Sequence, residues 1–154
     1  VLDSFRERFS AATKAAGREQ YLLPYLMSGH PGCTVEDMIE LAQYLQEAHL
    51  YTKQVQDFTP TPMTVSTAMY YTGLDPFTLK PVHVPRGREK KIQRAMLHYR
   101  DPRNYDLVKE GLRMAGREDL IGSGGRCLIT ARPAAGWGMK KEKRRDGRER
   151  GKPS

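Results

Sequence analysis

Residues 21–64, YLLPYLMSGHPGCTVEDMIELAQYLQEAHLYTKQVQDFTPTPMT, constrain the fold of this chain more than any other stretch. Tyr21, Leu22, Leu23, Tyr25, Leu26 and Met27 make a near-continuous apolar run, the pattern of a strand covered on both faces. Pro24 interrupts that run, and a proline in a central strand removes one ladder donor. Ser28-Gly29-His30-Pro31-Gly32 then breaks it as a tight turn. Thr34 stands as an N-cap with Asp37 three residues on, and Val35, Met38, Ile39, Ala42 and Leu45 recur as one helical stripe. A short strand is expected over 54–58, after which Thr59-Pro60-Thr61-Pro62 cannot be helical. Strand, helix and strand in this order form the unit from which parallel sheets and barrels are assembled. Such a unit needs neighbouring strands on both sides, which the remaining sequence does not obviously supply. The chain therefore reads as an α/β piece of something larger.

The flanking segments are mainly helical. Leu2, Phe5, Phe9 and Ala12 fall at helical spacing, with Asp3 or Ser4 as N-cap and Gly17 as the stop. After the prolines, Ser66–Tyr71 suggest a short helical turn ended by Gly73. Leu74–Gly87 look like an extended loop with a brief strand around Pro81–Val84. A helix is expected over Arg88–Tyr99, with Ile92, Ala95, Met96 and Tyr99 on one side. Asp101-Pro102 opens another, with Leu107, Val108, Leu112 and Ala115 as its apolar face and Gly116 closing it. Arg117–Ile129 form a compact end piece around Gly122-Ser123-Gly124-Gly125.

Composition removes several classes of function. No apolar run approaches the length of a membrane span, and Arg6, Glu7 and Arg8 break the first apolar cluster, so no signal peptide is expected. Val1 in place of Met suggests a trimmed or incomplete product. Two distant cysteines, Cys33 and Cys127, indicate no disulfide framework and fit a reducing, cytoplasmic setting. The formal charge is +8, and residues 140–154 hold eight Lys/Arg against three acids, a net +5. With no apolar residue after Met139, this tail is expected to be disordered. It reads either as a solvated tail or as an arm making weak contacts with RNA or the ribosome through phosphates.

Three constellations could carry chemistry. The Gly29-His30-Pro31-Gly32 turn sits at the carboxyl end of a strand and before a helix N-terminus, where parallel α/β folds bind ligands. Glycine and proline also make plain turns, so both readings stand. In the second strand, alternation puts Gln54 and Gln56 on one face and Val55 and Asp57 on the other. Gln54, Gln56 and Asp57 suit either a substrate-lining wall or an ordinary strand-end surface. Arg86, Arg88, Lys90, Lys91 and Arg94 form either a phosphate-binding face or a solvated helix face. Cys33, next to a helix N-terminus, could have a lowered thiol pKa or could simply fill a turn.

The segments YLLPYLMSGHPGCTVEDM, QVQDFTPTPMTVSTAMYYTGLDP, VPRGREKKIQRAMLHYRDPRNYDLV and AGREDLIGSGGRCL together resemble the carboxyl-terminal half of the YgiQ family of radical SAM proteins. The resemblance spans roughly Leu2 to Leu128. It implies an α/β fold that is a partial radical SAM (β/α) barrel made of late strand–helix–strand units, over 1–65. A mainly helical, family-specific extension would cover 66–132 and the disordered basic tail 133–154. Full-length members would bind a [4Fe–4S] cluster through a CxxxCxxC loop and cleave S-adenosylmethionine to a 5′-deoxyadenosyl radical, with the barrel positioning the cofactors. By the same resemblance, Ser28, Gly29, His30, Pro31 and Gly32 would approach the adenosine, and Gln56, Asp57 and Phe58 would line the adjoining wall.

Departures from the family pattern matter as much. CxxxCxxC is absent, neither cysteine matches a cluster ligand, and Cys33 stands where many members carry Glu, so that contact does not transfer. The expectation is a radical SAM enzyme fragment that binds neither cluster nor S-adenosylmethionine by itself, contributes no metal ligand, and has catalytic residues and substrate undefined. The competing class is a nonenzymatic basic module that binds RNA or ribosomes.

Overall fold

The computed structural model describes residues 2–51 and 54–133. Seven regular elements follow one another as α1 (Leu2–Ala15), β1 (Leu26–Ser28), α2 (Val35–Glu47), β2 (Val55–Asp57), α3 (Val65–Thr72), α4 (Gly87–Leu97) and α5 (Tyr105–Met114). Short 3-10 turns lie at Pro102–Asn104 and Glu118–Leu120. Among the described residues no helix is long and apolar enough to cross a membrane. The tail expected over 133–154 lies, apart from Pro133, outside the described residues.

The strand–helix–strand unit is present. β1 and β2 pair in parallel with Leu26 opposite Val55, Met27 opposite Gln56 and Ser28 opposite Asp57. The helix between them starts as expected: Thr34 accepts the Asp37 N–H, and the Asp37 carboxylate accepts the Thr34 N–H at 2.8 Å, a complete capping box. Val35, Met38, Ile39, Ala42 and Leu45 are all buried, so the apolar stripe is the core face of α2.

The first strand is shorter than the apolar run implied. Only Leu26–Ser28 pair, while Tyr21, Leu23 and Tyr25 are 74%, 85% and 64% exposed. Pro24 offers no N–H for a ladder, and the described sheet has two strands only, so nothing lies on the far side of β1 to pair with 21–25. The expected double cover is therefore absent for these residues. The amphipathic face of α1 is likewise open: its Leu2 and Phe5 are 52% and 54% exposed, and none of its residues is buried.

Elsewhere the corrections are local. The brief strand expected around Pro81–Val84 is an isolated antiparallel bridge from Pro81 to Leu74. Asp101 and Pro102 open a 3-10 turn, so α5 begins at Tyr105. Asp101 still acts as the cap, accepting the Arg103 N–H at 2.9 Å.

One cluster of buried residues runs from Leu26 to Ile129, across the boundary expected at 65/66. Helix α4 is at its centre. It packs on β1 and β2, on α2 and on α5, and its Ile92 and Met96 are fully buried with Val108 and Leu112 of α5. Burying such side chains contributes about 1.5–3 kcal/mol each. The α4–α5 crossing is close because Gly111 has no side chain: a Cβ there would fall 2.6 Å from Ile92 Cγ2 and 2.9 Å from Met96 Cε. Gly111→Ala should therefore destabilise the chain by about 1–3 kcal/mol, visible as a lower urea midpoint at unchanged slope. An unchanged midpoint would show that α4 and α5 can separate freely.

Candidate functional site

The parallel pairing brings the carboxyl ends of β1 and β2 side by side, and α4 reads both of them. Ser28, fully buried, donates from Oγ to Asp57 Oδ1 at 2.8 Å, and Arg94 of α4 donates to Asp57 Oδ2 at 2.8 Å. Gln93, also fully buried, accepts the Gly29 N–H at 3.0 Å through Oε1 and donates from Nε2 to the Cys33 carbonyl at 3.0 Å. It thus spans both ends of the Gly-His-Pro-Gly turn. Lys90 lays its methylenes over Gly29, where a Cβ would meet them at 3.0 Å, and donates from Nζ to the Phe58 carbonyl at 2.9 Å. Gly29 adopts φ +72, a left-handed conformation that a side chain would strain. Among the described residues no buried side-chain nitrogen or oxygen lacks a partner.

Outside this clamp lies an aromatic and cationic rim. His30 Nδ1 is 2.7 Å from the Pro31 carbonyl and Nε2 is 2.9 Å from Ser66 Oγ. With Nδ1 donating to a carbonyl, Nε2 of the neutral ring accepts the Ser66 hydroxyl proton. The His30 and Phe58 rings meet edge to face at 5.1 Å, Phe58 contacts Tyr70 at 5.7 Å, and the Arg86 guanidinium sits 4.7 Å from the Tyr70 ring centre. His83 closes the turn from the other side: its carbonyl accepts the Gly32 N–H at 2.7 Å, and its Nε2 is 2.7 Å from Glu89 Oε1.

The eight residues singled out in the sequence, 28–32 and 56–58, therefore lie together at one end of the sheet, but their side chains face different ways. Ser28 and Asp57 turn toward α4. Phe58 is buried against His30 and Tyr70. Gln56 is exposed beside Met27 on the sheet face that α4 does not cover.

Two open readings are decided. The Cys33 thiol is pushed up, not down, first by burial and then by the nearby Asp37 carboxylate, so it is a poor nucleophile. The basic cluster is a solvated set already largely paired: Arg94 with Asp57, Arg88 with Glu110, Lys90 with the Phe58 carbonyl and Arg86 with the Tyr70 carbonyl, with Arg86, Arg88, Lys91 and Arg94 exposed. Sequence reading missed Gln93, Glu89, His83, Ser66 and Tyr70. Gln93 did leave a signal: it is a polar residue three and four positions before Met96 and Leu97, on the arc of α4 that carries core residues. Among the described residues no group of three or more His, Cys, Asp or Glu could hold a metal ion.

A parallel strand pair with a helix layer on one side and polar and aromatic residues at the strand carboxyl ends defines a piece of an α/β protein. Residues 53–153 match the family model described as domain of unknown function DUF3362. A UPF0313 protein of Methanosarcina acetivorans is 62% identical over 130 residues, covering 84% of this chain and 18% of the relative. UPF0313 proteins of Clostridium perfringens and Geobacter sulfurreducens are 51% and 56% identical, covering 88% and 77% of this chain and 21% and 20% of theirs. The chain belongs to the UPF0313, or YgiQ, family and is its carboxyl-terminal part, carrying the DUF3362 domain. It spans about a fifth of the length of the curated relatives it matches. No solved structure matches it.

The clamp and the nearby cap lead to two predictions. Gln93→Leu leaves the Gly29 N–H and Cys33 carbonyl without partners, which should cost about 2–4 kcal/mol and speed amide hydrogen exchange at Gly29. Exchange at Gly29 as slow as in the parent would sink the clamp. Arg103 holds the Asp101 carboxyl down at about 2, so its contribution is complete above the ordinary carboxylate pKa and disappears as pH falls toward 2. Asp101→Asn should therefore lower stability by about 1 kcal/mol at neutral pH and make no difference below about pH 2. Denaturation curves at both pH values check it.

Proposed function

We propose that this chain is the late wall of a radical SAM barrel, part of an enzyme that uses a [4Fe–4S] cluster and S-adenosylmethionine for radical chemistry on a substrate still to be identified. The observation that carries the reading is the one-sided cover of the β1–β2 pair. In a (β/α) barrel the helices lie outside and the opposite sheet face looks inward. Met27 and Gln56 occupy that uncovered face, side by side in register. The family resemblance and the fifth of a longer relative that the chain represents support the same reading. On it, residues 1–65 supply the wall, 66–132 the extension whose helix α4 braces it, and 133–154 a basic tail. Unpaired Cys33 and Cys127 suit a reducing cytoplasm.

The two cofactors fit this chain unequally. For the cluster, the described residues offer no ligand set, so its thiolates would come from the rest of the longer protein. For S-adenosylmethionine the fit is partial. The Gly29 and Gly32 N–H groups are already taken by Gln93 and His83, so they are not its donors. The Gln56 amide, exposed on the inward face, is free in position to donate and accept. It would hold the adenosyl ligand, with the Ser28–Gly32 turn and Phe58 shaping the wall beside it and Asp57 bracing that wall through Ser28 and Arg94. When bound in this class of enzyme, the cofactor pair supplies a carbon radical that abstracts hydrogen. This chain's residues would position the ligand and exclude water.

A chimera tests the proposal: the matching segment of the Methanosarcina acetivorans relative is replaced by this chain, and the protein is reconstituted anaerobically with iron and sulfide. The chimera should take up a cluster and release 5′-deoxyadenosine from S-adenosylmethionine, while the 154-residue chain alone should do neither. Gln56→Ala should weaken S-adenosylmethionine binding about fivefold with iron content unchanged. A reconstituted chimera that neither binds nor cleaves S-adenosylmethionine would overturn the reading.

A further inference from the structure

The far end of α4, away from the strand carboxyl ends, carries a second surface of different chemistry. A groove of about 900 Å³ is lined there by Tyr51, Leu97, His98, Arg100 and Arg103, among others. A smaller one of about 350 Å³ shares Tyr51, Tyr99, Arg100 and Asp101 with it and extends to Tyr105 and Thr130. The shared wall is a cation stacked on an aromatic ring: the Arg100 guanidinium lies 4.0 Å from the centre of the Tyr51 ring, and Tyr51 is 48% exposed.

Three features give this surface a net positive, planar character. No acidic side chain among the described residues pairs with Arg100. Arg103 spends Nε and one Nη on Asp101, yet its side chain is 83% exposed and presents its remaining N–H groups to solvent. His98 is pushed down by burial and by Arg94, so it is neutral near pH 7 and the positive charge is the arginines' own.

We propose that the Tyr51–Arg100 stack, with Arg103, is a binding surface for single-stranded nucleic acid. A guanidinium backed by a tyrosine offers a flat cationic plane on which an unpaired base stacks, while Arg103 meets a phosphate. Duplex bases are covered by their neighbours and cannot use such a plane. An acidic protein surface would use the arginines but would gain nothing from the stacked ring. The inference does not depend on the radical SAM reading, because it involves neither Gln56 nor the strand carboxyl ends.

Fluorescence anisotropy with a labelled single-stranded RNA of about a dozen nucleotides tests it on the chain and on the chimera, with circular dichroism confirming that each variant is folded. Tyr51→Ala and Arg100→Ala should each weaken binding about tenfold, and Tyr51→Phe, which keeps the ring, should bind like the parent. Arg103→Ala should lower the slope of log affinity against log salt by about 0.7. Three outcomes would overturn the proposal. One is no binding at low salt. Another is binding that vanishes on deleting 140–154 but ignores Tyr51 and Arg100. The third is a duplex held equally well through the same residues. None of these readouts involves S-adenosylmethionine or iron, so failure here is distinct from failure of the barrel reading.

Discussion

The buried core of the described residues is organised around helix α4. A three-residue strand pair cannot hold itself together in water, and β1–β2 is such a pair. What makes it persist is that α4 covers one face while α2 and α5 close over α4 in turn. Ile92 and Met96 supply the apolar contact, and Gly111 lets α5 come close enough to complete it. The same helix then adds a polar layer. Lys90, Gln93 and Arg94 hold the turn after β1 and the end of β2 by hydrogen bonds to backbone and to Asp57, and Glu89 accepts from Gln93 Nε2. Removing Gln93 takes the partner from the Gly29 N–H and the Cys33 carbonyl together, which is why this side chain sets the turn geometry.

That arrangement separates two kinds of surface at the two ends of α4. Its amino-terminal half faces the strand carboxyl ends, where the proposed ligand wall lies. Its carboxyl-terminal end runs into the Tyr51–Arg100 stack. The open apolar residues belong to the same picture. Leu2, Phe5, Tyr21, Leu23 and Tyr25 are more exposed than is usual for a self-contained domain.

Local chemistry was readable in the sequence wherever one turn of helix or one loop decided the outcome. Thr34 and Asp37 announced the capping box, the Val35–Leu45 stripe announced the buried face of α2, and Gly73 announced the left-handed end of α3. The strand–helix–strand order was equally plain, and so was the family. Strand length was not, because a strand extends only as far as it has a neighbour to bond with, and Tyr21–Tyr25 have none here. For Cys33 the sequence left a lowered thiol pKa and a plain turn filler both open, and burial with the nearby Asp37 carboxylate, which push the thiol up, decides for the second.

The sequence by itself determined which segments are helical, the Thr34–Asp37 cap, the β–α–β order and the membership of the UPF0313 family, though not where α1 and α5 begin, since Asp3 and Ser4 lie inside α1 and α5 starts at Tyr105. All of these follow from residues within a few positions of each other or from long matching motifs. Only the tertiary structure decided which residues act together. Gln93 reaches Gly29 across 64 positions, Arg94 reaches Asp57 across 37, and Arg100 stacks on Tyr51 from a different element. Such partnerships depend on how α4 is laid across the sheet, and that is set by the volume and shape of side chains meeting in three dimensions, which no linear spacing records.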